Sequence, residues 1–106
     1  HSYDMAKSDT FSHTGSNTSS DITAKKLNLG GGSNPGDRIL YNGYSNFSLA
    51  GENIVAGTTC DTAQKAVAEW LKSDHHCANM MNPNYTDVGL ARYEDTGSYY
   101  TNYWTQ

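Results

Sequence analysis

The sequence predicts a mixed α+β domain, and three patterns carry that prediction. Ala63, Ala66, Val67, Trp70 and Leu71 fall at i, i+3, i+4, i+7 and i+8, the period of a helix with one apolar face. Residues 88–93 and 99–105 read as strands on either side of Glu94-Asp95-Thr96-Gly97-Ser98, which predicts an antiparallel hairpin. Residues 49–57 read as a further short, buried strand ahead of the helix.

Taken in chain order, residues 1–9 look like the end of a helix stopped by Ser8-Asp9-Thr10, with His1 and Met5 four apart on one face. Residues 14–37 are polar, with Gly30-Gly31-Gly32 and Asn34-Pro35-Gly36, and read as loop. Within them, residues 21–27 are expected to form a short helix. Pro35 suits the first position of a helical turn running to about Gly43, with Ile39 and Leu40 turned inward. In a regular strand over 49–57, Ala50, Glu52, Ile54 and Ala56 would share a face, which sets a carboxylate in line with apolar neighbours. Asp61 and Gln64 have capping-box spacing at the start of a helix over 61–72. There is no internal repeat.

At 106 residues the chain has room for one domain. Its hydrophobic content of 36% is low, and eight Tyr and two Trp offset this because each ring buries a large area. Seven basic against eleven acidic residues give a net charge of −4, which argues against a nucleic-acid partner. No apolar run approaches the roughly 20 residues of a membrane-spanning helix. The chain opens on mid-helix sequence without an initiator Met or a signal peptide, so it is expected to be a processed or excised piece of a longer precursor.

The two cysteines, Cys60 and Cys77, leave two readings open. A helix over 61–72 would be about 18 Å long. Residues 73–77 would then have to return at nearly full extension, about 17 Å, to bring two Cα atoms within about 7 Å for a disulfide. Two free, buried thiols are the other reading.

Four stretches carry more information than composition. They are His1-Ser2-Tyr3-Asp4-Met5-Ala6, Phe11-Ser12-His13-Thr14, Gly51-Glu52-Asn53-Ile54, and Trp70 followed by His75-His76-Cys77-Ala78-Asn79-Met80-Met81-Asn82-Pro83. In that order the chain resembles the bacterial branch of the CAP superfamily, the cysteine-rich secretory, antigen and pathogenesis-related proteins. The resemblance implies a single CAP domain over residues 1–106, a three-layer α-β-α sandwich with a small antiparallel sheet, trimmed at both ends. It also implies that residues 16–34 include a loop insertion, and it suggests an upstream cysteine as a further partner for Cys60 or Cys77.

The resemblance gathers His13, Glu52 and His76 around one cavity. The second acid of animal and plant members falls at Ser73, and Asp74 is adjacent but out of register, so a mechanism needing two carboxylates is disfavoured. Two imidazoles and a carboxylate can hold a divalent metal such as zinc with a water in the fourth position; the plainer reading has both histidines hydrogen-bonding Glu52 to tie the fold together. His1 is a secondary candidate, more readily a packing residue of the first helix, and His75 reads as a solvated loop residue. Ser2, Ser12 or Ser73 beside a histidine would be needed for nucleophilic hydrolysis, and no Gly-x-Ser-x-Gly elbow is present. Trp70 reads as a core anchor, and Asn79, Asn82 and Pro83 as turn residues. Tyr99, Tyr100, Tyr103 and Trp104 read as one core-facing and one surface-facing set. Three glycosylation sequons, at Asn17, Asn46 and Asn84, carry no weight in a chain so rich in Asn, Ser and Thr.

The expected function is therefore a secreted or cell-envelope bacterial binding or interaction module. Its His/Glu cleft would take a small ligand, a cation or an envelope component. The alternatives are a metal-dependent hydrolase using the same cleft, and a structural envelope domain whose histidines only hold the fold.

Overall fold

A computed structural model describes residues 1–106. The element order is α1 (Ser2–Ser8), α2 (Ile22–Leu27), α3 (Pro35–Tyr41), β1 (Ile54–Ala56), α4 (Ala63–Leu71), α5 (Asp74–Met80), β2 (Ala91–Glu94) and β3 (Asn102–Thr105). The strands form one antiparallel sheet in the order β1-β3-β2, with Val55 opposite Trp104 and Tyr93 opposite Tyr103. This is the α+β class the sequence predicts. No helix is long and apolar enough to cross a membrane.

The central strand β3 divides the core. Successive strand side chains point to opposite faces. Tyr103 accordingly packs with Met5, Ala6 and Ile54, while its neighbour Trp104 packs with Cys60, Ala66 and Trp70. Helix α1 lies against β2 and β3, and α4 lies against β1. Trp70 is fully buried, as its place in the helical period predicts, and Leu71 is exposed on the same helix. The Trp104 indole N–H donates to the Cys60 carbonyl at 2.7 Å, which satisfies a polar group that would otherwise be costly to bury.

Polar residues organise the N-terminal third. The buried Asp4 carboxylate accepts from the Ser16 amide, the Ser16 hydroxyl and the Ser20 hydroxyl at 2.8, 2.6 and 2.6 Å. Asp21 caps α2 through the Ala24 amide at 3.1 Å and receives the amide and hydroxyl of Ser33 at 2.9 and 2.8 Å. A segment with few apolar residues is thereby fastened by two carboxylates. Burial opposes ionisation of Asp21, but the donors from Ser33, Ala24 and Asn17 outweigh it and hold its carboxyl below the usual aspartate range.

Several local expectations need correction. In α3 the buried side chain is Arg38, and Leu40 is exposed. The strand expected over 49–57 shrinks to β1, and the hairpin turn widens to residues 95–101 because β3 starts only at Asn102. Helix α4 is capped by Thr62, whose hydroxyl accepts from the Lys65 amide at 3.3 Å, while Asp61 pairs instead with the Lys65 ammonium. Thr62→Ala is therefore expected to cost about 1 kcal/mol, read as a lower melting temperature. Asp61→Ala should leave the melt nearly unchanged; the reverse order of effects would restore Asp61 as the cap.

Residues expected as loop form α5, so His75 and Asn79 are helical. Ser73 caps this helix through the His76 amide at 3.5 Å, and Asp74 occupies its first turn, where a negative charge is favoured. A helix starting at Asp74 removes the extended return that a Cys60–Cys77 bridge would demand. Both thiols are free. Burial pushes the Cys60 thiol up, which keeps it protonated and unreactive.

Candidate functional site

Glu52 sits in the irregular chain just before β1. The next residue fixes its place: Asn53 exchanges reciprocal backbone hydrogen bonds with Gln106, both 2.9 Å. The Asn53 side chain is buried and reaches three ways. It donates to the His76 carbonyl at 3.2 Å and to Gln106 Oε1 at 2.9 Å, and accepts from Asn79 Nδ2 at 3.0 Å. Asn53 thus ties the motif Gly51-Glu52-Asn53-Ile54 to α5 and to the end of the chain.

The Glu52 side chain is only 7% exposed, and a carboxylate so buried needs partners on both oxygens. Oε1 lies 2.9 Å from His13 Nδ1. A carboxylate can only accept, so Nδ1 carries the proton, and in the neutral ring Nε2 is the free acceptor. Oε2 accepts from Arg38 Nη2 at 2.8 Å. The Arg38 guanidinium also donates to the His13 carbonyl at 2.9 Å and to the Ser33 carbonyl and hydroxyl at 2.6 and 3.1 Å. Ser33 in turn donates to Asp21, so one chain of hydrogen bonds runs from the helix α2 cap to Glu52.

His13 is the open end of this network, with half of its side chain exposed. The His1 side chain is buried; its Nε2 donates to the Ser12 carbonyl at 2.7 Å, and its Nδ1 has no hydrogen-bond partner. His76 is half-buried on α5 and reaches the site through its carbonyl on Asn53, not through its ring. Ser73 acts as the α5 cap. The structure thus joins His13 directly to Glu52, but no three His, Cys, Asp or Glu side chains are placed to hold a metal ion. Of the three residues expected as ligands, His13 and Glu52 are joined by a hydrogen bond, and the His76 ring makes no hydrogen bond to either.

Beside Glu52 opens a cleft of about 780 Å³. It is lined by Tyr44, Phe47 and Leu49 from one segment and by Tyr85, Val88 and Leu90 from another. The two segments are bridged by the Tyr44 hydroxyl, which donates to Asp87 Oδ2 at 2.7 Å, and this hydrogen bond holds the Asp87 carboxyl below its usual range. Glu52 and His1 line the cleft; His13, His76 and Ser73 do not. Gly51 also lines it, and a Cβ there would collide with Tyr85 Oη and Asn79 Oδ1, so glycine permits the close approach. Sequence reasoning missed Arg38, Asn53 and Tyr85 as parts of this site. Only Asn53 gave a signal, as the neighbour of Glu52 in the motif.

An α+β domain with a buried Glu hydrogen-bonded to a His from a distant segment is what the four sequence motifs imply, and comparison agrees. The whole chain, residues 1–106, matches the family model for the cysteine-rich secretory protein family, CAP, and belongs to that family. It is similar to the uncharacterized protein YkwD of Bacillus subtilis (strain 168), with 37% identity over 67 residues. That match takes in 63% of this chain but only 24% of YkwD, so the chain spans about a quarter of the length of that bacterial relative. No solved structure matches it.

Proposed function

We propose that the chain is the binding or interaction domain of a secreted or cell-envelope bacterial protein, working through the cleft beside Glu52. The arrangement would be the CAP three-layer type, a reading supported by Tyr103 and Trp104 entering separate clusters with α1 and α4. One observation carries the functional reading. A cleft of about 780 Å³, within the roughly 300–1,000 Å³ usual for small-molecule sites, is floored by a carboxylate whose charge is already met by Arg38 and His13. A group so fully engaged shapes and polarises a site more readily than it attacks a substrate. Amide-resolved NMR with a small-molecule fragment set tests this. Perturbed resonances should concentrate in residues 42–51 and 84–90; shifts confined to other surfaces would overturn it.

A hydrolase is the second reading, favoured by the His13–Glu52 pair itself. An imidazole oriented by a carboxylate, with its other nitrogen facing solvent, is the base-and-orienter half of a nucleophilic site. Hydrolysis of peptide or ester substrates lost in both His13→Ala and Glu52→Gln would favour it over the binding reading. For the metal-dependent version, Zn²⁺ titration followed by calorimetry and melting temperature is expected to give the same response in wild type and His13→Ala. Saturable binding lost in the variant would show that a metal site forms in solution.

A further inference from the structure

We propose that the occupant of the cleft is a neutral saccharide, a short oligomer of uncharged sugar rings; this rests on the binding reading above and specifies its ligand class. Charge is the first argument. Among the residues lining the cleft the only Arg or Lys is Arg38, and its guanidinium is spent on Glu52, Ser33 and the His13 carbonyl. A phosphate, sulfate or carboxylate would find no free guanidinium or ammonium to pair with. The two anions present are likewise engaged, Glu52 by Arg38 and His13, Asp87 by the hydroxyls of Tyr44 and Thr86. No Arg, Asp or Glu side chain in the cleft is therefore left unpaired for a charged ligand, and the one remaining titratable side chain with a free nitrogen is His1.

Composition is the second argument. Fewer than half of the lining residues are hydrophobic, while apolar atoms make up the larger part of the lining surface, so the cleft offers apolar area and polar groups together. The lining combines side-chain amides with aromatic rings. Asn46, Asn79 and Asn84 line the cleft together with Tyr44, Phe47 and Tyr85, and Tyr44 and Phe47 are stacked at 6.2 Å between ring centroids. An amide offers a donor and an acceptor side by side, matched to neighbouring hydroxyls on a sugar ring. An aromatic face offers apolar area for the C–H side of the same ring. Polar atoms remain available for this: Asn79 uses Nδ2 on Asn53, leaving Oδ1 beside Tyr85 Oη over Gly51, and that hydroxyl makes no hydrogen bond within the chain.

The probes are chitotriose and maltotriose as neutral trisaccharides, a heparin-derived tetrasaccharide as the anion, and palmitate as the apolar ligand, each titrated by calorimetry into the whole chain. A neutral trisaccharide should bind saturably. Tyr85→Phe, which removes one oxygen and no packing, should weaken it about fivefold, the worth of one hydrogen bond, and Tyr44→Ala about tenfold. Circular dichroism of both variants checks that they fold, and Tyr85→Phe keeps the test decisive if Tyr44→Ala does not. If palmitate or the anion binds with these sensitivities and the trisaccharides do not, the saccharide class is overturned while the binding cleft stands. Sugar binding indifferent to both substitutions would place the sugar elsewhere and overturn the proposal. No binding by any probe at millimolar concentration, with no fragment-induced shifts in residues 42–51 and 84–90, would remove the cleft reading too.

Discussion

Arg38→Met is expected to destabilise the protein by about 3–5 kcal/mol, the range for removing one partner of a buried ion pair. The Arg38 side chain is 10% exposed and that of Glu52 7%, so water does little to replace what is lost. Methionine fills similar space but leaves Glu52 Oε2 and the His13 carbonyl without their donor, and leaves the Ser33 carbonyl only the Gly15 amide. The loss should appear as a lower denaturant midpoint. Adding Glu52→Gln to Arg38→Met should recover part of it, because the uncompensated charge disappears; contacting pairs couple by roughly 0.5–3 kcal/mol. Strictly additive effects of the two changes would show that the pair does not interact as drawn.

Asp21→Asn should cost about 3 kcal/mol at neutral pH. Every group facing this carboxylate donates: the amides of Asn17, Ala24 and Ser33, and the Ser33 hydroxyl. Asparagine has to turn an NH₂ toward donors, and hydrogen bonds to a charged acceptor are worth about 1.5–3 kcal/mol each. The pH dependence has a definite sign. The folded-state pKa lies below the ordinary 3.8, so Asp21 contributes its full stabilisation above that value and loses it as pH falls through the native pKa. Melting curves of wild type and Asp21→Asn should therefore lie far apart at pH 7 and converge in strong acid. A gap that stayed constant across that range would mean that ionisation of Asp21 is not what holds residues 17–33.

Much of this architecture could be read from the chain, and particular residues show where reading stopped. Helix α4 was legible because Ala66, Val67 and Trp70 announce one apolar face at helical spacing. Helix α2 was legible from a short run between turn residues. Helix α5 was not, since Asp74-His75-His76-Cys77-Ala78-Asn79-Met80 has no apolar period; its signal lay in the Ser73 cap and the acidic Asp74. The strand over 49–57 was overextended because Leu49 and Ala50 look like core but line the cleft. The pairing of His13 with Glu52 followed from motif resemblance. The burial of Arg38 could not, because what permits it comes from Ser33, His13 and Glu52, three separate parts of the chain. Local apolar pattern pointed instead to its neighbours Ile39 and Leu40.

The placement of Tyr103 and Trp104 on opposite sides of the middle strand has a consequence for folding fidelity. Sliding β3 by one residue against its neighbours would exchange the two rings. The indole would be driven into the space beside Met5 and Ala6, and the phenol toward Trp70. The two rings differ in size, and the indole N–H would lose the Cys60 carbonyl. Two adjacent aromatic side chains of unequal size thus serve as a key that admits a single alignment of a very short sheet.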